Sequence, residues 1–62
     1  MRREEWKIFH RWLETASPSE LRAILDKIEG VLTVLKDRGV RSDALRMRRE
    51  IEAEILSQVS GP

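Results

Sequence analysis

The chain contains no cysteine, and this absence removes two common ways of stabilising a small fold. Disulfides and thiolate metal sites both need cysteine. The single histidine would need three further ligands to bind zinc in a tetrahedral site. A chain of 62 residues buries only about 60% of its unfolded surface, so its own core is marginal. Oligomerisation or docking on a partner is the remaining way to compensate.

Long apolar runs are also missing. Met1 is followed by Arg-Arg-Glu-Glu, and no stretch approaches the roughly 18 apolar residues of a membrane span. We therefore expect a cytoplasmic protein with no secretory signal and no membrane partner. The 12 basic and 11 acidic side chains nearly balance, so net charge does not favour nucleic acid as a partner.

The clearest pattern in the sequence is an apolar repeat with spacings of 4, 3, 4 and 3 residues, which we call the seam: Leu21, Leu25, Ile28, Leu32 and Leu35. It is typical of a helix that packs against another helix. Before the seam, Ser17-Pro18-Ser19-Glu20 has the form of a capping box with proline in the first turn. The pattern predicts a second helix over about 18–38, ended by Gly39 in the left-handed conformation.

Two further amphipathic segments flank the second helix. The first helix is predicted over about 3–15 and carries all three aromatic residues, Trp6, Phe9 and Trp12. The third helix is predicted over about 42–58, capped by Ser42 or Asp43, with residues 59–62 as a frayed tail. Its apolar face consists of Ala44, Met47, Ile51, Ile55 and Val59.

These elements predict one small all-α domain over residues 1–62. Helices two and three form a long helical hairpin, and the short N-terminal helix packs across it or across a dimer mate. Gly30 lies inside the second helix, where glycine costs about 1 kcal/mol relative to alanine. Either this glycine is exposed and tolerated, or another helix backbone approaches closely there.

Arg48 interrupts the apolar face of the third helix, with Glu52 one turn later. One interpretation is structural: the arginine stem packs on the hairpin, and its charged head pairs with Glu52. The other interpretation is functional: the guanidinium is kept for a carboxylate or phosphate of a partner, or for an ion pair that sets the register across a dimer.

The sequence contains no recognisable catalytic or cofactor-binding motif. His10 has no nucleophile near it in the sequence and is expected to be structural or solvated. The glycines are scattered, so no phosphate-binding loop is indicated. Glu50, Glu52 and Glu54 alternate around a helix and cannot converge on one metal ion. We expect no enzymatic activity, cofactor, metal or small-molecule substrate.

The preferred functional hypothesis is a regulatory, inhibitory or adaptor protein that acts through protein–protein contacts, with homodimerisation as one form of contact. Aromatic and arginine side chains are the usual energetic centres of interfaces. The candidate interaction residues are Trp6, Phe9, Trp12, Leu13, Arg48 and Glu52.

The alternative hypothesis is a DNA-binding regulator. Residues 35–49 resemble a helix-turn-helix in the positions of Gly39, Val40 and Leu45. The segment departs from that motif in having Leu35 at a small-residue position, Arg48 at an apolar position and an overlong first helix. The resemblance implies that phosphates or base edges are contacted by Arg41, Arg46 and Arg49.

A third hypothesis concerns the turn KDRGVRSDALR at residues 36–46 and the helix after it. This segment is similar to the helical hairpin of the small aspartyl-phosphate phosphatases of sporulation control. Their second helix carries Ser-Gln-Glu-Leu-Asp, whereas residues 48–52 here read Arg-Arg-Glu-Ile-Glu. Because the Ser-Gln pair is missing, the resemblance implies no activity for this chain.

Overall fold

The computed structural model describes residues 1–59, which form three α-helices. They are α1 (Arg3–Thr15), α2 (Pro18–Leu32) and α3 (Arg38–Val59). No strand occurs in this range, and the predicted all-α class is confirmed. Val59 is the last residue of α3 rather than part of a tail, and positions 60–62 of the predicted tail lie outside the described residues.

The first two helices begin where the sequence predicts, and both starts are capped by side chains. Glu5 accepts a hydrogen bond from the Arg2 backbone N–H at 3.0 Å at the start of α1. At the start of α2, the Glu20 N–H donates to Ser17 Oγ at 3.2 Å, and the Ser17 N–H donates to the Glu20 carboxylate at 3.3 Å. This reciprocal arrangement is a capping box, which satisfies backbone donors that a helix leaves free. The Ser17–Glu20 motif was therefore sufficient to locate the start of α2, whereas the predicted start of α1 rested on its apolar pattern.

The end of α2 differs from the prediction, because the helix stops at Leu32 rather than near Arg38. The Thr33 hydroxyl donates to the Gly30 carbonyl at 2.7 Å, and the Arg41 guanidinium donates to the Leu32 carbonyl at 2.7 Å. These side chains donate to carbonyls of the last turn, which lack the i+4 N–H that carbonyls inside a helix bind. Leu35 still packs against the core after the helix has ended, which explains why the apolar pattern ran on.

The start of α3 also differs from the prediction. Asp37 accepts the Val40 backbone N–H at 2.9 Å, so the helix begins at Arg38 and not near Ser42. The predicted caps Ser42 and Asp43 lie inside the helix. Gly39 lies in its first turn, and no described glycine has a positive φ. The prediction that a left-handed Gly39 ends α2 was therefore wrong. α2 has already ended at Leu32, and Gly39 follows the Asp37 cap within α3.

The three helices are packed side by side. The α2–α3 hairpin is antiparallel, since Leu35 and Val40 meet at one end and Leu25 and Ile55 at the other. A contact between His10 and Glu50 joins α1 to α3, and the Gln58 amide donates to the carbonyl of Ala16, just after α1, at 3.5 Å. Because both contacts link residues about 40 positions apart, α1 runs alongside α3 in the same direction. The buried core consists of Phe9, Leu13, Ala16, Leu21, Ile28, Leu32 and Ile51.

The molecule is elongated, and its core is small. Its radius of gyration is 12.0 Å, compared with about 11 Å for a compact domain of this length. Only Ile51 of the 22 residues of α3 is buried. Gly30 has no atom within 4 Å of the position that a Cβ would occupy, so within one chain the glycine is exposed and tolerated. Much apolar surface on the hairpin consequently stays in contact with water.

Candidate protein-interaction surfaces

The aromatic residues of α1 form a continuous stack along that helix. The Trp6 and Phe9 rings are 5.8 Å apart in an edge-to-face arrangement, and the Phe9 and Trp12 rings are 6.0 Å apart. These separations lie within the favourable range for aromatic pairs. Phe9 is buried, whereas both tryptophans are half-buried. The stack therefore attaches α1 to the hairpin and leaves parts of Trp6 and Trp12 accessible.

A polar group that we call the α1–α3 cluster joins the two parallel helices: Trp6, His10, Arg46 and Glu50. The Arg46 guanidinium lies 4.2 Å from the centre of the Trp6 ring, a cation–π contact. Its Nε lies 3.4 Å from Glu50 Oε2, and the other Glu50 oxygen lies 2.7 Å from His10 Nε2. Glu50 Oε2 is buried and makes no hydrogen bond in the described part, so Arg46 is its nearby compensating charge. The cluster is therefore a structural connection.

An apolar groove runs between the C-terminal half of α2 and the N-terminal half of α3. It has a volume of about 460 Å³, and we call it the first groove. The rim carries charges of both signs, from Glu5, Lys27 and Asp43. Val31 and Val40 are 47% and 51% exposed there, far more than core residues. The apolar lining consists mainly of Ile24, Val31, Leu35, Val40, Ala44 and Met47.

A second groove lies at the other end of the hairpin, with a volume of about 280 Å³. Its apolar part is formed by Leu25 of α2 and by Ile55 and Leu56 of α3. Leu56 is 67% exposed. Arg22 and Glu52 supply one charge of each sign at the edge. Both ends of the hairpin thus present apolar side chains to solvent.

The structure separates the predicted interaction residues into three environments. Phe9 and Leu13, each 7% exposed, belong to the core and cannot reach a partner while the fold is closed. Trp6 and Trp12 are half-buried on α1. Arg48 and Glu52 form an ion pair on α3 at 3.6 Å, as the structural interpretation of Arg48 expects. In the described part, no hydrogen bond, ion pair or cation–π contact joins that pair to the aromatic stack.

The predicted nucleic-acid residues are also in different environments. Arg41 donates to the Leu32 carbonyl at the end of α2, and Arg46 belongs to the α1–α3 cluster. Of the three, only Arg49 lies exposed without a polar partner within residues 1–59. Gly39 and Val40 lie inside α3 rather than in a turn between two helices. A nucleic-acid role for these arginines stays a prediction.

Sequence reasoning missed the α1–α3 cluster because its members lie on helices far apart in the chain. The i, i+4 spacing of Arg46 and Glu50 was the one local signal, and such spacings are common on helix surfaces. Within residues 1–59, no three histidine, aspartate or glutamate side chains are grouped so as to hold a metal ion. None of the helices in this range has the length and apolar character of a membrane span. No family model, curated protein or solved structure matches this chain.

Proposed function

We propose that this chain is a small, non-enzymatic regulatory or adaptor protein of the cytoplasm that acts through protein–protein contacts on its amphipathic helices. The supporting observation is the distribution of apolar side chains on the hairpin. α3 buries Ile51 alone, while Val31, Val40 and Leu56 remain exposed beside apolar grooves. Exposed apolar patches with a polar rim are typical of protein interaction sites.

The second groove is suited to a helix from a foreign protein. A helix binds in a groove by inserting apolar residues spaced three and four positions apart. Leu25, Ile55 and Leu56 supply an apolar floor for such residues. Arg22 and Glu52 at the edge offer charges of both signs, which would fix the direction of the bound helix.

The test compares two substitutions on the exposed part of α3. Leu56→Glu places a charge in the second groove, whereas Ala53→Glu adds the same charge at an exposed position that does not line it. Each protein carries a photo-crosslinker at Asp26, an exposed position one helical turn from Arg22 that leaves the groove residues unchanged. It is expressed in cells of the organism that encodes the chain, and crosslinked proteins are identified by mass spectrometry. Circular dichroism first verifies that both variants are folded.

The proposal predicts that the wild type and Ala53→Glu crosslink to the same foreign protein and that Leu56→Glu loses it. Equal crosslinking of all three proteins, or no protein crosslinked by the wild type, would contradict the proposal. The DNA-binding alternative predicts binding to a mixed-sequence duplex that weakens steeply with salt, since phosphate contacts release counterions. It has less support, because Arg41 and Arg46 already bind groups of their own chain.

A further inference from the structure

We propose that the first groove is a self-association surface. The apolar side chains that line this groove in one copy pack against those that line it in a second copy of the chain. The two copies are related by a twofold axis parallel to the helices. This inference rests on the proposed function, because it names the partner of one of the interaction surfaces. It concerns a different groove from the one assigned to a foreign helix.

The charges at the rim favour a second copy. Lys27 lies on the α2 side of the first groove, whereas Glu5 and Asp43 lie on the α1 and α3 sides. Lys27 makes no hydrogen bond or ion pair within the described part. Glu5 accepts a backbone N–H and forms no ion pair there, while Asp43 pairs with the Met1 amino group. The rim thus has an available cation on one side and an available carboxylate on the other.

A twofold axis would place the side of the rim that carries the cation in one copy against the side that carries the carboxylate in the other. In a symmetric dimer the same patch serves both copies, and each contact occurs twice. With the axis parallel to the helices, the α2 side of one groove faces the α1–α3 side of the other. In the proposed dimer, Lys27 of each copy would therefore face the side that carries Glu5 of the other copy. A foreign helix would need to carry this charge pattern by coincidence, whereas a second copy carries it necessarily.

The size of the molecule is compatible with such an interface. A stable complex buries about 800 Å² on each partner, roughly a sixth of the 5029 Å² surface of this chain. The two longer dimensions of the molecule are 40 and 25 Å, so a broad face is large enough. Dimerisation would also cover Val31 and Val40, which adds to the seven buried core residues found within positions 1–59.

The first part of the test measures self-association by sedimentation equilibrium. Val31→Glu introduces a charge at the groove, and Val34→Glu introduces one at an equally apolar, exposed position outside it. We expect a wild-type dimer whose dissociation constant rises about tenfold or more in Val31→Glu. The constant for Val34→Glu should stay within about twofold of the wild type. Circular dichroism confirms that each variant is folded.

The second part of the test exchanges the rim charges. Lys27→Glu and Glu5→Lys should each weaken the dimer, because each places like charges opposite one another. The double variant Lys27→Glu/Glu5→Lys should regain most of the wild-type affinity. Glu5 also caps α1, so Glu4→Lys is the matched control for a lost negative charge in the first turn. It should leave the affinity nearly unchanged.

A monomeric wild type at millimolar concentration would overturn the inference. Equal dimer affinity in Val31→Glu and Val34→Glu would overturn the groove assignment, and a double charge variant no tighter than the weaker single variant would overturn the twofold arrangement. The Leu56→Glu crosslinking experiment involves the second groove and can succeed in each of these cases. Failure of this inference is therefore distinguishable from failure of the proposed function.

Discussion

His10 Nε2 lies 2.7 Å from Glu50 Oε1, and this contact connects α1 to α3 across 40 positions of sequence. A double-mutant cycle with His10→Ala and Glu50→Ala measures its contribution to the free energy of unfolding. Both side chains are partly exposed, so we expect a coupling energy of about 0.5–1 kcal/mol, as for partly solvated pairs. Urea denaturation at low protein concentration provides the four free energies.

The Arg48–Glu52 pair is the control for that cycle. Its atoms are 3.6 Å apart, both side chains are more exposed than Glu50, and the pair lies within one helix. We expect a coupling energy below about 0.5 kcal/mol. A larger coupling for this pair than for His10 and Glu50 would contradict the structural role assigned to the α1–α3 cluster.

Ile51 is the most important apolar residue of α3 for stability, since it is completely buried. Ile51→Ala should lower the free energy of unfolding by about 2–5 kcal/mol, because it removes apolar contacts and leaves a cavity. Leu56→Ala, at an exposed position on the same helix, should change it by no more than about 0.5 kcal/mol. Thermal unfolding followed at 222 nm compares the two. Similar losses for both variants would show that the core is placed incorrectly.

Asp37 should stabilise the start of α3, because its carboxylate accepts the Val40 N–H. Asp37→Ala is expected to cost about 1 kcal/mol, the usual effect of losing an N-cap. Ser42→Ala should have almost no effect, since Ser42 lies within α3. Chemical denaturation of both variants decides between the two starting points. A larger loss in Ser42→Ala would favour the later start that the sequence pattern predicts.

Gly30→Ala should stabilise the chain. Its added Cβ meets no atom within 4 Å, and alanine restricts the unfolded chain more than glycine does. Near a helix end the gain should be about 0.5 kcal/mol, visible as a rise of roughly 2 °C or more in Tm. A fall in Tm at high protein concentration only would instead indicate that another chain packs closely at Gly30.

The sequence predicted those helix boundaries that depend on local signals. Ser17, Pro18 and Glu20 are adjacent in the chain, and their capping geometry follows directly from the motif. The junction of α2 and α3 depends on hydrogen bonds from Thr33 and Arg41 to carbonyls of the preceding helix. Apolar periodicity does not reveal such bonds. Leu35 continued the pattern beyond the true helix end because it packs against the core without being helical.

The candidate surfaces could be predicted only in part. The apolar faces that line the two grooves are visible as periodic patterns, and the antiparallel hairpin follows from the short connection. The position of α1 on the hairpin determines which apolar residues are buried. In this structure Phe9 is buried, whereas Val40 is exposed. The pairing of Arg46 with Trp6 and Glu50 depends in the same way on the position of α1 relative to α3.

The four valines of the chain provide a test of the interaction surfaces without any substitution. Val31 and Val40 line the first groove, whereas Val34 and Val59 do not. Methyl NMR spectra of valine-labelled protein can be recorded from micromolar to millimolar concentration. If the first groove is a self-association surface, the Val31 and Val40 methyl signals shift with concentration and saturate, while those of Val34 and Val59 stay in place. Invariant signals from all four valines, or shifts confined to Val34 and Val59, would contradict it.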